Sequence, residues 1–274
     1  GFKMKYDMTY LSLGAGVQSS ALLLMSNNNL FNVPKADVAI FSDTQAEPPW
    51  VYEHLEKLHE LSKIPIITTT AGNLREDSLS DKFLSIPVHM ADYNEESTIM
   101  RRQCTREYKI EPIQKAIREY LGYRKGQHVK KKVRALVGIS LDESVRMKPS
   151  WYSYITNTYP LVDSRLNRLM CLNILQTHGW PIPQKSACTF CPYRSDQQWK
   201  EIKEKSPKVW EEIVEFDRGI RYRGAKKNVH DNKTRPVFLH KTLQPIEDID
   251  FTKGGQMEFS INGFNNECEG MCGV

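Results

Sequence analysis

The chain has 274 residues, of which 40% are hydrophobic and 26% charged, an ordinary composition for a globular protein. That length is enough for one large α/β domain with a smaller appendage. No apolar run reaches the roughly 20 residues that cross a bilayer, and the first residues lack the apolar stretch of a signal peptide, so we expect a cytoplasmic protein with no membrane partner. The net charge of +5 is too small to establish a nucleic-acid partner by itself.

Short apolar runs alternate with helical patterns through the first half of the chain. Strands are predicted at 9–13, 37–41, 64–68 and 135–139, and helices begin near Ser19 and cover 50–62 and 110–120. This alternation predicts an α/β fold with a mainly parallel twisted sheet flanked by helices. From residue 151 the pattern changes to helices around a cysteine-rich turn, with helices at 197–202 and 208–218. We therefore expect an α/β domain over 4–150, a helical cysteine-rich region over 151–221 and an irregular extension over 222–274.

A segment rich in glycine and serine joins the first predicted strand to the first helix. Residues 12–20, here called the glycine loop, read Ser-Leu-Gly-Ala-Gly-Val-Gln-Ser-Ser. Glycine lets a backbone approach a phosphate, the following helix N terminus offers unpaired N–H groups, and serine hydroxyls can add donors. A tight strand-to-helix turn without a ligand has the same composition, and the Walker and dinucleotide patterns are absent. The candidate phosphate-binding residues are Ser12, Gly14, Ala15, Gly16, Gln18, Ser19 and Ser20.

The glycine loop resembles the PP-loop of ATP pyrophosphatases and of the PAPS reductase-like family, with Gln18 in the place of the usual Asp. Two later segments extend the resemblance in the family's order: Phe-Ser-Asp-Thr-Gln-Ala-Glu-Pro-Pro at 41–49 and Gly-Ile-Ser-Leu-Asp-Glu-Ser-Val-Arg at 138–146. The resemblance implies an adenine nucleotide alpha hydrolase-like fold that binds ATP, with Mg²⁺ bridging the phosphates. The nucleotide-site residues that it implies are Asp43 and Thr44 at the base or ribose, and Gly138, Glu143, Ser144 and Arg146 at the phosphates. The alternatives are that Asp43 caps the next helix and that 138–146 is an exposed strand-end loop.

Six cysteines in a chain without an export signal favour metal binding or redox chemistry over disulfides. Cys188-Thr-Phe-Cys191-Pro is a Cys-x-x-Cys motif, and Cys171 and Cys104 lie upstream. Four thiolates can form a tetrahedral metal site or hold a [4Fe–4S] cluster. The spacing alone does not choose between zinc and iron–sulfur.

The cysteine pattern is similar to that of the ATP-pyrophosphatase component of DNA phosphorothioation systems. There, an early Cys-Thr is followed by a Cys, a Gly-x-Pro-x-Pro spacer and Cys-x-x-Cys-Pro-x-Arg. This resemblance implies a [4Fe–4S] cluster on Cys104, Cys171, Cys188 and Cys191, with structural zinc as the alternative. The cations nearby in sequence, Arg102, Lys109 and Arg194, offset the charge of a cluster or contact sulfate, phosphate or a nucleic-acid backbone. Lys109, among these cations, and Arg146, at the phosphates, are the candidate catalytic residues.

The chain ends in Glu267-Cys268-Glu-Gly-Met-Cys272-Gly-Val. Sulfonucleotide reductases end in a Glu-Cys-Gly-type tail whose cysteine attacks sulfur, and Glu267-Cys268 is similar. Cys268 and Cys272 are therefore candidate catalytic cysteines, able to carry a persulfide or form a transient disulfide. A structural tail or a second metal site is the alternative.

Three functions are open at this point. The first is ATP-dependent sulfur transfer to DNA or tRNA, with adenylation of the acceptor, release of pyrophosphate and a cysteine desulfurase as sulfur donor. The basic segment 124–134 then becomes a phosphate-contacting patch rather than a solvated loop. The second is an adenylylsulfate or PAPS-type reductase that uses Cys268 and thioredoxin. The third is a zinc-stabilised nucleotide-binding module without catalysis.

Overall fold

The structure is a computed structural model that describes residues 5–80, 84–100, 103–184, 187–223 and 230–252. These residues divide into two compact units, each built from two separate stretches of chain. Unit 1 contains the described residues through Ala71 together with Thr105–Ala187, and unit 2 contains Gly72–Cys104 and the described residues from Cys188 onward. This differs from the expected division at residues 150 and 221, because the stretch that follows residue 150 continues unit 1.

The strands are β1 (Met8–Ser12), β2 (Val38–Asp43), β3 (Ile66–Thr70), β4 (His89–Ala91), β5 (Ser97–Ile99), β6 (Val133–Leu136), β7 (Ile155–Thr158) and β8 (Val237–Phe238). The helices are α1 (Val17–Asn28), α2 (Pro49–Leu61), α3 (Leu74–Leu79), α4 (Glu111–Tyr120), α5 (Pro160–Asp163), α6 (Arg168–Thr177), α7 (Asp196–Lys205) and α8 (Pro207–Ile220). Shorter turns are 3₁₀ at Leu30–Asn32, Leu141–Arg146 and Ile246–Asp248, and π-helical at Arg106–Ile110. Within the described residues, no helix has both the length and the apolar character that a bilayer crossing requires.

A five-stranded sheet in the order β3-β2-β1-β6-β7 forms the centre of unit 1, and each pair of neighbours is parallel. In the register of the central strand, Tyr10 is aligned with Val38 of β2 and with Ala135 of β6. All five residues of β1 are buried, as is usual for a parallel strand covered on both faces. The expected α/β class with a mainly parallel sheet is confirmed. Because the strands run in one direction, their carboxyl ends share one edge of the sheet.

Alternate residues of the central strands enter two separate apolar layers. Leu11 and Phe41 pack with α1, α2 and α6 on one face, whereas Tyr10 and Ile40 pack with α4 on the other. Helix α1 is deeply enclosed, since every residue from Val17 to Ser26 is buried. Full burial of each large apolar side chain contributes about 1.5–3 kcal/mol. The helix that follows the glycine loop is therefore firmly held by the core.

Unit 2 contains an antiparallel sheet in the order β5-β4-β8, together with α3, α7 and α8. Helix α7 begins with a capping box at Ser195, which satisfies backbone donors of the first turn. The buried carboxylate of Asp217 on α8 accepts the backbone N–H groups of Leu239 at 3.0 Å and Ile246 at 3.1 Å, and it also pairs with Arg221. Asp217 thereby fastens the 239–246 stretch to α8.

Candidate functional site

The glycine loop leaves β1 and enters α1 at the carboxyl edge of the sheet. Gly16 is the N-cap of α1, and Ala15 before it has a left-handed φ of 58°. The hydroxyl of Ser19 accepts the N–H of Gly14 at 3.2 Å and lies 3.5 Å from the carbonyl oxygen of Gly16, so the loop closes on itself. The first N–H groups of a helix have no partner within the helix and carry the positive end of its dipole. Such a turn has the backbone donors that an anion requires.

The side chains in the second half of the loop point into the protein. Gln18, Ser19 and Ser20 have no solvent exposure, whereas Gly14 is partly exposed. In this structure the hydroxyls of Ser19 and Ser20 brace the loop through internal hydrogen bonds rather than facing solvent. Ser12, the last residue of β1, is buried too. Gly14 is the one partly exposed residue of the glycine loop, so a phosphate would have to be bound by backbone N–H groups near it rather than by these hydroxyls.

Gly138, just beyond β6, lies directly against the first turn of α1. A Cβ atom built on Gly138 would stand 3.0 Å from the backbone nitrogen of Ser19 and 3.1 Å from its Cα. Those atoms belong to the backbone and cannot rotate away, so a larger residue here would require the backbone of α1 to shift by a few tenths of an ångström. The start of the segment 138–146 is thus packed against the glycine loop. Ser144 is half-buried in that segment.

Gln18 connects the glycine loop to the turn Leu141–Arg146. Its Nε2 atom lies 3.4 Å from Ser140 Oγ and 3.4 Å from Glu143 Oε2, and Glu143 also pairs with Arg146 at 3.0 Å. Glu143 is buried, so a second carboxylate at position 18 would face it without solvent screening and the two charges would repel. This contact gives a physical reason for an uncharged amide at position 18. Within the described residues, the buried Gln18 Oε1 atom accepts no hydrogen bond.

Asp43 and Thr44 lie at the end of β2, on the strand next to the glycine loop. Asp43 Oδ1 accepts a hydrogen bond from the hydroxyl of Tyr52 at 2.7 Å. Burial and this hydrogen bond to Asp43 raise the pKa of Tyr52, so the phenol remains a donor. The hydroxyl of Thr44 lies 3.4 Å from Glu47 Oε1. The capping alternative for Asp43 is wrong, because the N-cap of α2 is Pro48 and no side chain caps that helix.

Lys109 lies in the π-helical turn Arg106–Ile110 and is largely buried. Its Nζ atom is 3.7 Å from Oε1 of Glu47, which is buried as well. The hydroxyl of Ser42 in β2 donates to the carbonyl oxygen of Tyr108 at 2.6 Å and so fixes this turn to the strand. π-helical turns are frequent at functional sites. Lys109 is thereby brought to the edge of the sheet where β2 ends.

One contact that the sequence did not reveal links the glycine loop to α2. Ser20 Oγ lies 2.8 Å from His54 Nε2, and both side chains are buried. Burial, with a smaller contribution from the positive charge of Lys57, lowers the pKa of His54 from 6.5 to about 4, so the imidazole is neutral at neutral pH. His54 shares the inward face of α2 with Val51 and Leu58. A single histidine among apolar residues indicates core packing, and no sequence signal ties it to Ser20.

The basic segment 124–134 lies at the opposite end of the sheet from the glycine loop. Lys132 exchanges hydrogen bonds with Asp7, since its carbonyl accepts the Asp7 N–H at 2.8 Å and its N–H donates to Asp7 Oδ2 at 2.7 Å. Arg118 on α4 donates to two carbonyls of the same segment. Because β1 and β6 are parallel, the residues that precede them share the amino edge, whereas the glycine loop is at the carboxyl edge. The segment therefore does not lie at the edge of the sheet that carries the glycine loop.

Cys171 lies on α6 in the apolar layer that also contains α1. Its side chain is fully buried, and its N–H donates to the carbonyl of Asn167 at 3.0 Å. Asn167 is the N-cap of α6 and accepts the N–H of Met170 at 2.9 Å. Cys171 thus belongs to unit 1, whereas Cys104, Cys188 and Cys191 belong to unit 2.

Cys188 and Cys191 begin and end a tight turn. The N–H of Cys191 donates to the carbonyl of Cys188 at 3.0 Å, and the guanidinium of Arg194 donates to the carbonyls of Cys188 at 3.1 Å and Thr189 at 3.3 Å. Arg194 also lies over the ring of Trp199, 5.8 Å from its centroid. Arg194 therefore fixes the backbone of the turn that carries both cysteines.

The predicted metal ligands Cys104, Cys171, Cys188 and Cys191 carry thiols rather than disulfides. Across the described residues, no three or more His, Cys, Asp or Glu side chains form a group that would hold a metal ion. A preassembled metal cage is therefore not seen, and the cluster assignment stays a prediction. The donor set of soft sulfur ligands beside an arginine suits iron–sulfur or zinc chemistry. Cys268 and Cys272 lie outside the described residues.

Searches against family profiles and against curated proteins find no match to this sequence. Among solved structures, the chain is similar to the crystal structure of phosphoadenylyl-sulfate (PAPS) reductase from Candida auris in a phosphate complex. The TM-score is 0.41 and the sequence identity 14%, over 65% of this chain and 76% of the other. Similarity at this level does not place the chain in a family.

Proposed function

We propose that this chain binds ATP at the glycine loop and uses it to activate a nucleic-acid oxygen for replacement by sulfur. The observation that carries the proposal is the meeting of three polar segments at the carboxyl edge of one parallel sheet. Gly138 packs on the first turn of α1, Gln18 contacts Glu143, and Asp43 ends the neighbouring strand. In parallel α/β sheets, ligands bind at this edge and phosphates bind at helix N termini.

In the proposed reaction, an oxygen of the acceptor attacks the α-phosphorus of ATP. The new bond joins the acceptor to AMP, and the bond to pyrophosphate breaks. The terminal sulfur of a cysteine persulfide, presented by a donor such as a cysteine desulfurase, then displaces AMP and forms an acceptor–S–S–Cys bond. A second thiol cleaves that bond, which leaves the sulfur on the acceptor and forms a disulfide between the two thiols that an external dithiol such as thioredoxin reduces. Mg²⁺, when bound, neutralises charge on the triphosphate. Lys109 and Arg146 are the proposed phosphate contacts, and the buried carboxylates at 3.7 Å and 3.0 Å from them hold both cations in place.

An exposed aromatic residue in unit 1 supports a nucleic-acid acceptor. Trp151 is 57% exposed, and the guanidinium of Arg106 lies 5.3 Å from the centroid of its ring. An indole held by an arginine is suited to stacking with an unpaired base. We therefore favour single-stranded DNA or a tRNA loop over duplex DNA.

The cysteine prediction is part of the proposal, and metal analysis tests it independently of activity. We propose that Cys104, Cys171, Cys188 and Cys191 hold a [4Fe–4S] cluster in the loaded protein. Anaerobically purified protein should be brown and contain iron and acid-labile sulfide, and Cys191→Ser should lose both. Colourless protein that contains zinc would assign the structural-zinc alternative.

The proposed activity is tested by measuring pyrophosphate release from ATP with single-stranded DNA, duplex DNA or tRNA. We expect release only when an acceptor is present and a loss of about tenfold in Ser19→Ala, because that hydroxyl closes the loop. Lys115→Ala, an exposed change on α4, is the matched control and should retain full activity. Sulfite release from adenylylsulfate with thioredoxin would instead assign a sulfonucleotide reductase. Binding of ATP with neither activity would assign a nucleotide-binding module.

A further inference from the structure

We propose that His54 is a positioning residue for the glycine loop, because its imidazole holds the hydroxyl of Ser20 and thereby the first turn of α1. This inference rests on the proposed nucleotide-binding function and names the residue that keeps the loop ready for a phosphate. His54 contacts the loop from α2 and would act through Ser20 rather than on the nucleotide itself.

The contact joins the start of one helix to the middle of another. Ser20 Oγ lies 2.8 Å from His54 Nε2, and the two residues are 0% and 5% exposed. Water therefore does not compete for either atom, and a hydrogen bond in such surroundings is stronger than one at the surface.

The hydroxyl of Ser20 has an alternative partner that would disturb the loop. The backbone N–H of Ser20 donates to the carbonyl of Gly16, the N-cap, at 3.0 Å. A serine hydroxyl inside a helix commonly donates to the carbonyl four residues earlier, which is Gly16 here, and such bonds bend helices. When His54 Nε2 accepts the Ser20 hydroxyl, that competing bond is removed and the first turn keeps its regular geometry.

The acceptor role fixes the form of the imidazole. Burial lowers the pKa of His54 to about 4, so the ring is neutral through the physiological range and carries one proton. If Nε2 accepts, that proton is on Nδ1.

Helix α2 also holds the second loop of the proposed nucleotide site. Tyr52, two residues before His54, donates to Asp43 at the end of β2 at 2.7 Å. One helix therefore has a hydrogen bond to each of the two loops, and His54 sets the position of the glycine loop relative to Asp43.

The test compares ATP affinity, measured by calorimetry well below the unfolding temperature, across a small set of variants. His54→Leu removes the acceptor and should weaken ATP binding about fivefold to tenfold, the worth of one buried hydrogen bond. His54→Gln keeps an acceptor and should bind within about twofold of wild type. His59→Leu, a change to an exposed histidine on the same helix, is the matched control and should bind as wild type does. In a Ser20→Ala background, His54→Leu should cause no further loss.

Several results would overturn the inference. If His54→Leu binds ATP as tightly as wild type, the contact between His54 and Ser20 has no role in binding. If His54→Leu weakens ATP binding as much in the Ser20→Ala background as in wild type, His54 does not act through Ser20. Long-range ¹H–¹⁵N NMR should find the proton of His54 on Nδ1, and a proton on Nε2 would contradict the acceptor role. If the wild-type protein fails to bind ATP, the proposed function and this inference are both wrong. If the wild type binds ATP and His54→Leu binds it equally well, this inference alone is wrong.

Discussion

The buried imidazole of His54 makes the stability of this protein sensitive to acid in a calculable way. Its pKa is 6.5 in the unfolded chain and about 4 in the folded protein, mainly because burial disfavours the charged form. The unfolded state therefore binds the proton first as the pH falls. The contribution of neutral His54 to the free energy of unfolding is therefore fully present above about pH 6.5. It is lost progressively as the pH falls from there to about 4.

The magnitude follows from the two pKa values. At about pH 5, most unfolded molecules but few folded molecules have His54 protonated, which costs about 2 kcal/mol relative to pH 7.5. Below both pKa values the loss approaches about 3 kcal/mol. His54→Gln removes the titrating group, so the variant does not lose this stability in acid. Between pH 7.5 and pH 5, the free energy of unfolding should therefore fall by about 2 kcal/mol more in wild type than in the variant.

Urea denaturation followed by tryptophan fluorescence at pH 7.5 and pH 5 measures this difference. Groups that titrate identically in both proteins cancel in the comparison. The exposed His59 serves as the control, and His59→Gln should leave the difference unchanged. A wild-type-minus-variant difference for His54 that stays constant within about 0.5 kcal/mol would refute the assignment of a buried neutral histidine.

Three further substitutions test the packing of the site and of unit 2. Gly138→Ala places a methyl group about 3.0 Å from the backbone of Ser19 and should cost about 1–3 kcal/mol while weakening ATP binding; unchanged affinity would contradict the close approach. Lys109→Met removes the cation beside the buried Glu47 and should lower stability by about 3–5 kcal/mol, and a second change, Glu47→Gln, should restore most of it. Asp217→Ala removes the acceptor of two backbone N–H groups and should cost at least about 2 kcal/mol, with faster proteolysis of unit 2; resistance equal to wild type would show that the carboxylate is dispensable.

The core strands of unit 1 were predictable because their residues are buried on both faces and form short continuous apolar runs. The strand predicted at 135–139 is observed at Val133–Leu136, so it begins two residues and ends three residues earlier. Its end was misplaced because Val137 and Ile139 are also buried and apolar although they lie beyond the strand. Strand β7 was missed because Ile155–Thr158 is mostly polar and lies at the edge of the sheet, where one apolar residue suffices. The β4–β5 hairpin consists of three-residue strands, which are too short for a periodic signal.

The polar edge of the site was predictable because each motif follows a strand, and parallel strands end together. The residues that contact those motifs were not predictable from the sequence. Ser20 and His54 are 34 residues apart, and Gln18 and Glu143 are 125 apart, so only the packing of helices on the sheet brings them together. The position of the basic segment also depends on the pairing of β1 with β6, which composition does not contain.

The discontinuous make-up of the two units has a consequence for how this chain can be synthesised and cut. Unit 1 is interrupted at Ala71 and resumes at Thr105, so it cannot be completed until β7 and α6 have emerged from the ribosome. A fragment that stops at residue 150 lacks both elements and leaves part of the apolar surface of α1 uncovered. Isolation of unit 1 should therefore require an internal excision of Gly72–Cys104 that rejoins the flanking stretches together with an end after Ala187, because truncation at one terminus alone leaves part of unit 2 behind.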